Sequence, residues 1–334
     1  MRLSYDTVSA IAHGTEYIIE ENNKIIFSRF LNSERQTLTY GTDKSYSTAG
    51  VRLEFITDSQ SLDVSVSVKE SNPEGRNFYS FDVYNNDVML GQIKNFDESP
   101  QYPYKNYTLC DSRKTFRLSD KTNHVCIYFP WSVQGIINGI EIDDGAAITP
   151  VVRSKKVIMY GDSITQGYDS ESPSRSYTSQ LADYLEADVI NKGIGGSVFM
   201  PELSEIKSDY SPNLITVAYG TNDWNICGYD DFEKRCHSFF NNLITNYPDT
   251  KILAIAPIWR ADCDEERNLG KFSKVAETLK NISVLNKNIS FINGIDFIPK
   301  DKKYYRDSYL HPNDMGFDFY INSLINELKK KGII

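Results

Sequence analysis

The chain has 334 residues, 40% of them hydrophobic and 24% charged, with a formal net charge of −9. That is an ordinary globular composition, long enough to build two cores. The acidic balance argues against nucleic-acid and anionic-membrane partners, which require a basic face, and the run Lys329–Gly332 reads as the charged end of a last helix.

No stretch approaches 18 apolar residues, so no membrane span is expected. The opening "MRLSYDTVSAIAHGTEY" lacks a basic region followed by an apolar run and a small-residue cleavage site, so the expected location is cytoplasmic. The five cysteines are scattered without CxxC spacing, which suits reduced packing thiols. The four histidines, His13, His124, His237 and His311, are isolated from one another, and no metal or other cofactor is expected.

From about residue 15 to 150 the pattern is β-structure. Val51, Leu53 and Phe55, then Leu62, Val64, Val66 and Val68, alternate with polar residues across a turn at Thr57–Ser61. The turn signal Asn85-Asn86-Asp87 sits inside a second such pair. Many short strands without long helical patterns imply an antiparallel, jelly-roll-like sandwich over residues 1–150. After Pro150, apolar runs such as "KVIMYG", "LITVAYG" and "KILAIAP" alternate with amphipathic stretches. That rhythm predicts an α/β domain over residues 151–334, a parallel sheet covered on both faces that binds ligands at the carboxyl ends of its strands.

Four polar segments fall on that rim. "GDSITQG" follows the first strand and puts Ser163 at a helix N-terminus, where an alkoxide and a developing oxyanion are both stabilised. Read alone, it is more simply a helix cap. "NKGIGG" has three glycines in four residues; GxGxxG and the P-loop lysine are absent, so the turn fits a small anion better than a nucleotide. "YGTND" brings a side-chain amide, Asn222, next to Ser163. "LHPND" holds His311 at the entry to the last helix, a fixed position suited to a general base.

In this order the four blocks resemble those of the SGNH or GDSL hydrolase superfamily, over about residues 155–330. The resemblance implies a flavodoxin-like three-layer α/β/α domain and an acyl hydrolase working through an acyl-serine. Carried across, Ser163 matches the nucleophile, His311 the base, and Gly196 and Asn222 the oxyanion donors beside the Ser163 N–H, while Asp162 organises the turn. The family usually has Asp three residues before its histidine. That position here is Ser308, and the carboxylate is Asp307, one place earlier. Asp307 is expected to orient His311, with a backbone carbonyl as the alternative.

A sandwich preceding such a domain is similar to the arrangement in two-domain bacterial carbohydrate esterases. The resemblance implies a serine esterase that removes small acyl groups, acetyl above all, from carbohydrate. Trp224, Trp259 and Arg260 are expected to line the sugar site, since rim aromatics pack on the C–H faces of sugar rings, with Phe199–Leu203 walling the same pocket. The alternatives are a thioesterase or lysophospholipase, an O-acyltransferase on the same scaffold, or a glycan-binding protein with an inactive hydrolase domain.

Overall fold

The computed structural model describes residues 1–72 and 75–334. Two antiparallel sheets form its first part. One runs in the order Ala12–His13, Arg52–Thr57, Asn123–Tyr128, Ser80–Asn85, Val88–Lys94, with Ile148–Pro150 also pairing to Arg52–Thr57. The other runs Tyr17–Glu21, Lys24–Ser28, Val133–Ile142, Ser61–Glu70, Ser112–Arg117. Their inner faces share one core, in which Phe129 packs edge-on against Phe27 and Phe81 with ring centroids 5.1 Å apart in both pairs. The sandwich predicted from the period of two is therefore present. Its turn at Thr57–Ser61 carries the chain from one sheet to the other rather than closing a hairpin. At Asn86 and Asp87 both φ angles are positive, 48° and 63°. That is the two-residue turn whose twist matches paired strands.

The second part is a five-stranded parallel sheet made, in chain order, by Lys155–Gly161, Ala187–Gly193, Leu214–Ala218, Lys251–Ala256 and Ile289–Asn293. In space the second strand comes first, then the first, third, fourth and fifth. Successive residues point to opposite faces. Ile158 and Tyr160 meet the helices Tyr229–Asn246 and Ser273–Leu285, while Val157 and Met159 meet Tyr177–Leu185 and Asp314–Lys330. The register sets Gly161 opposite both Gly193 and Ala218, so three strand ends are level on one rim. All five cysteines are free, and no helix of the described residues is long and apolar enough to cross a membrane.

The alternation rule fails in the strand Arg52–Thr57 for a physical reason. A half-buried strand would turn Arg52 and Glu54 to water, yet they are 3% and 0% exposed, because the parallel-sheet part of the chain covers that face. There Arg52 Nη1 lies 2.5 Å from Asp183 Oδ1, and Arg52 Nη2 donates to the Ala187 carbonyl at 3.0 Å. Glu54 accepts from Arg153 Nε at 3.0 Å and meets His124 Nε2 at 2.8 Å. Lys192, fully buried, sits 2.6 Å from Glu16 and 2.5 Å from Glu34. Burial pushes the Glu54 carboxyl up, but the hydrogen bonds from His124 and Arg153 and the charge of Arg52 outweigh it and bring it down to about 2.

A carboxyl held low in the folded chain contributes stability that is complete above its unfolded pKa of about 4.3 and is lost as pH falls through the folded value. Glu54→Ala is therefore expected to cost about 3–5 kcal/mol at neutral pH, because it strands buried cations. Calorimetric melting at pH 7 and pH 3 checks this: the difference between the two proteins shrinks at the lower pH.

Candidate active site

The first strand ends at Gly161, where a Cβ would come within 2.0 Å of Thr165 Oγ1 and 3.0 Å of the Ala218 carbonyl. Only glycine lets the chain turn there. Asp162 then caps a four-residue helix, its carboxylate accepting the Ile164 N–H at 2.9 Å. Burial raises the Asp162 carboxyl to about 6, against the pull of the Ile164 N–H and of His311 and Arg260. Ser163 occupies the first helical position, where a backbone N–H has no intrahelical acceptor.

The second block folds against this turn. Asn191 Nδ2 donates to the Thr165 carbonyl at 2.7 Å, and its Oδ1 accepts the Gly193 N–H at 2.8 Å. Gly195 N–H donates to Gln166 Oε1 at 2.8 Å, and Gly196 adopts φ +82°, a left-handed conformation that favours glycine. Asn222 closes the cluster: one N–H of its amide donates to the Ser197 carbonyl at 2.9 Å, which leaves the second for another acceptor.

His311 is carried to Ser163 across 148 positions, with Nε2 2.9 Å from Ser163 Oγ. Its Nδ1 lies 2.7 Å from Asp307 Oδ2. The offset carboxylate reaches the ring because Ser308 takes up the additional residue with φ +57°. Asp307 Oδ1 meanwhile accepts the N–H groups of Tyr309, Leu310 and His311 at 2.9, 2.8 and 3.1 Å. Burial opposes ionisation of Asp307, but the His311 hydrogen bond and charge together with these N–H groups hold its carboxyl well below the usual carboxylate range. A carboxylate at Nδ1 favours the tautomer with Nδ1–H and a free Nε2 lone pair facing the serine.

Asp169, Asp307 and His311 bring ligand-type atoms within 4.8 Å of one another. Their geometry is that of two carboxylates facing one imidazole nitrogen, His311 Nδ1.

The predicted sugar-facing residues are corrected. Trp224 is 0% exposed: its indole packs edge-on on Phe272 at 4.9 Å and its N–H donates to the Gly270 carbonyl at 2.7 Å. Arg260 is 3% exposed and is consumed by Asp262, Tyr309 and Thr221, whose carbonyl accepts at 3.0 Å. It braces the turn that carries Asn222 and presents no free donor to a ligand. Trp259 is half-buried against Tyr305, ring centroids 5.2 Å apart. Within Phe199–Leu203, Phe199 and Leu203 are 0% exposed members of the core, while Met200, Pro201 and Glu202 line a surface cleft with Thr39. Trp224 follows a strand end but turns into the core, whereas Trp259 stays half-buried at its edge.

Sequence reasoning missed what the sandwich part supplies. Tyr40 lies over Gly196: a Cβ there would stand 2.8 Å from its ring and 2.9 Å from its hydroxyl oxygen. Buried Lys44 donates to the Gly195 carbonyl at 3.1 Å, and Arg29 Nη1 donates to the Asn191 and Gly193 carbonyls at 2.8 and 2.6 Å. Trp131 packs on Tyr168 with ring centroids 4.7 Å apart and planes tilted by 38°, and Tyr168 in turn lies 5.6 Å from the His311 ring. These residues come from 29–44 and 131, and no local pattern signals them.

An open parallel sheet with a serine in the first turn of an Asp-capped helix, a glycine turn and a histidine on one rim defines the class of α/β domain. Residues 159–319 match the model of the GDSL-like Lipase/Acylhydrolase family, so this part of the chain is a GDSL-like domain of the SGNH hydrolase superfamily. No curated protein sequence matches the chain significantly. Among solved structures, the salicylyl-acyltransferase SsfX3 from a tetracycline biosynthetic pathway aligns with a TM-score of 0.79 at 19% identity, covering 97% of this chain and 95% of that one. A protein described as a GDSL-like lipase from Bacteroides ovatus aligns with 0.78 at 19%, covering 99% and 97%. A family two carbohydrate esterase from Clostridium thermocellum, in complex with cellohexaose, aligns with 0.67 at 15%, covering 96% and 98%. At these identities the likeness is one of fold, and it extends over both parts of the chain.

Proposed function

We propose that the protein is a serine esterase that hydrolyses small acyl esters, acetyl foremost, on carbohydrates. The observation that carries this is the hydrogen-bonded series Ser163 Oγ–His311 Nε2 at 2.9 Å and His311 Nδ1–Asp307 at 2.7 Å. In this reading Ser163 Oγ attacks the ester carbonyl carbon while His311 Nε2 takes its proton. The tetrahedral oxyanion accepts from the N–H groups of Ser163 and Gly196 and from the Asn222 amide. His311 then returns the proton to the departing alcohol oxygen. A water attacks the acyl-serine with His311 again as base, releasing the acid and restoring Ser163.

Carbohydrate as the alcohol half is supported by two exposed rings flanking the site. Tyr40 lies over Gly196, and Tyr309, two residues before His311, is held by Arg260 and Asp262. Family two carbohydrate esterases among the fold neighbours point the same way. Acetate release from a panel of acetylated oligosaccharides, beside an aryl acetate, tests the proposal. Turnover of the aryl ester without any of the sugar esters would remove the carbohydrate half. A second reading, transfer of the acyl group to a hydroxyl in place of water, is favoured by the acyltransferase neighbour. Adding an alcohol acceptor and measuring the partition of product between ester and free acid distinguishes the two.

Lys44 adds a testable detail. The Gly195 carbonyl it binds belongs to the same peptide unit as the Gly196 N–H, so a cation on the oxygen makes that N–H a stronger donor. Lys44→Met is expected to lower kcat about fivefold with KM little changed, the equivalent of roughly 1 kcal/mol, and Lys44→Arg to recover most of it. Steady-state kinetics on the aryl acetate read both values.

A further inference from the structure

Six residues after Ser163, just beyond the Gly167 that ends the short helix, Asp169 is completely buried. It holds φ +68°, a left-handed conformation unfavourable for a side chain with a Cβ. Its placement is over-determined: Arg76 Nε donates to Oδ1 at 3.0 Å, and Arg306 Nε donates to its backbone carbonyl at 2.9 Å. The other carboxylate oxygen, Oδ2, accepts no well-formed hydrogen bond among the described residues: the Tyr104 hydroxyl is a neighbour of this carboxylate, and Oδ2 lies 3.8 Å from His311 Nδ1. A buried carboxylate oxygen so weakly paired is favoured most when a positive charge develops beside it. In the reaction proposed above, that charge develops on His311.

We propose that Asp169 is a second carboxylate partner of His311, a positioning residue that stabilises the imidazolium alongside Asp307. Arg76, donated by the sandwich, holds it in place. The inference rests on the reading of His311 as the base. The charged and titratable groups around the ring are these: Asp307 and Arg306 on its own loop, Asp162, Tyr168 and Asp169 from the serine turn, and Arg76 and Tyr104 from the sandwich. Asp307 already makes the close contact. Asp169 therefore acts at longer range when Asp307 is present, and takes over the Nδ1 proton by closing about an ångström when Asp307 is neutralised.

The experiment compares Asp169→Asn, Asp307→Asn and the double variant in the full chain, with aryl acetate hydrolysis followed against pH. Asp169→Asn is expected to lower kcat about three- to tenfold and to move the acid limb of kcat/KM downward by roughly half a unit to one unit, since an anion facing the imidazolium is removed. The double variant is expected to lose more than the product of the two single losses, because each carboxylate backs the other. A purely structural Asp169 would lower Tm without moving the acid limb, and that result, or simple multiplication in the double variant, overturns the proposal. Asp307→Asn alone gives a readout that leaves Asp169 untouched. Its Nδ1 proton is expected to stay in the strongly hydrogen-bonded downfield NMR region, and an upfield move overturns the takeover. Ser163→Ala separates the two levels: if it retains hydrolysis, the underlying reading of the site fails. If it is inactive while the acid limb of Asp169→Asn stays in place, only the role of Asp169 fails.

Discussion

Ser163→Ala is expected to lower kcat for a small acetyl ester by about 10⁴–10⁶-fold while leaving the fold intact. The side chain lost is one hydroxyl, 3% exposed, whose contact is with His311 Nε2 at 2.9 Å. The turn does not depend on it, because the helix is capped by Asp162 through the Ile164 N–H and ended by Gly167 at φ +101°. Tm should therefore match that of the unaltered protein within about a degree or two. Residual hydrolysis from the oxyanion donors alone sets the floor. Rates measured with the variant, beside an active-site titration with a serine-directed fluorophosphonate, give the result. Labelling of the unaltered protein at Ser163 and none in the variant is the expected pair. Undiminished turnover in Ser163→Ala would remove Ser163 from the chemistry.

Asn222→Ala is the next largest expected effect, a loss of about 10²–10³-fold in kcat with KM nearly unchanged. The argument is differential. A ground-state carbonyl oxygen carries little charge, whereas the tetrahedral oxygen carries a full one, so a donor aimed at it acts mainly in the transition state. Asn222 is pre-organised for this: its amide is tethered to the Ser197 carbonyl, and its turn is tied down by Arg260 through the Thr221 carbonyl. Asn222→Asp keeps the shape and removes the donor, so it should be at least as damaging, whereas Asn222→Gln should lose less than Asn222→Ala. Parallel losses in kcat and a rise in KM would instead point to ordinary binding.

Much of the site was legible because a parallel sheet obeys a simple rule. Each of its strands ends on the same rim, so four polar blocks that each follow an apolar run must meet, however far apart they lie in the chain. Ser163, the Asn191–Gly196 turn, Asn222 and His311 do meet there. The offset of Asp307 was legible only as a question. A count of positions says nothing about whether Ser308 can adopt a left-handed φ and let the loop close.

The aromatic residues were misjudged for a different reason. A tryptophan following a strand end can turn outward or fold under the sheet, and local sequence weighs the two alike. Trp224 folds under because Phe272 and the Gly270 carbonyl, nearly fifty positions away, satisfy both its ring and its N–H. Tyr309 stays partly exposed because Arg260 and Asp262 hold its hydroxyl.

By itself, then, the sequence determined the two halves and their strand types, the rim on which the polar blocks gather, and the order in which they do so. These follow from period and chain order, which are local properties of the polypeptide. Only the tertiary structure decided which faces are covered and by what. It buried Arg52 and Glu54 in a strand that reads as half-exposed, brought Tyr40 and Lys44 over the Gly195–Gly196 peptide, and set Asp169 behind His311 with Arg76 to hold it. Each of those contacts joins residues more than 90 positions apart or depends on one part of the chain covering the other, and burial of that kind leaves no periodic trace in either partner.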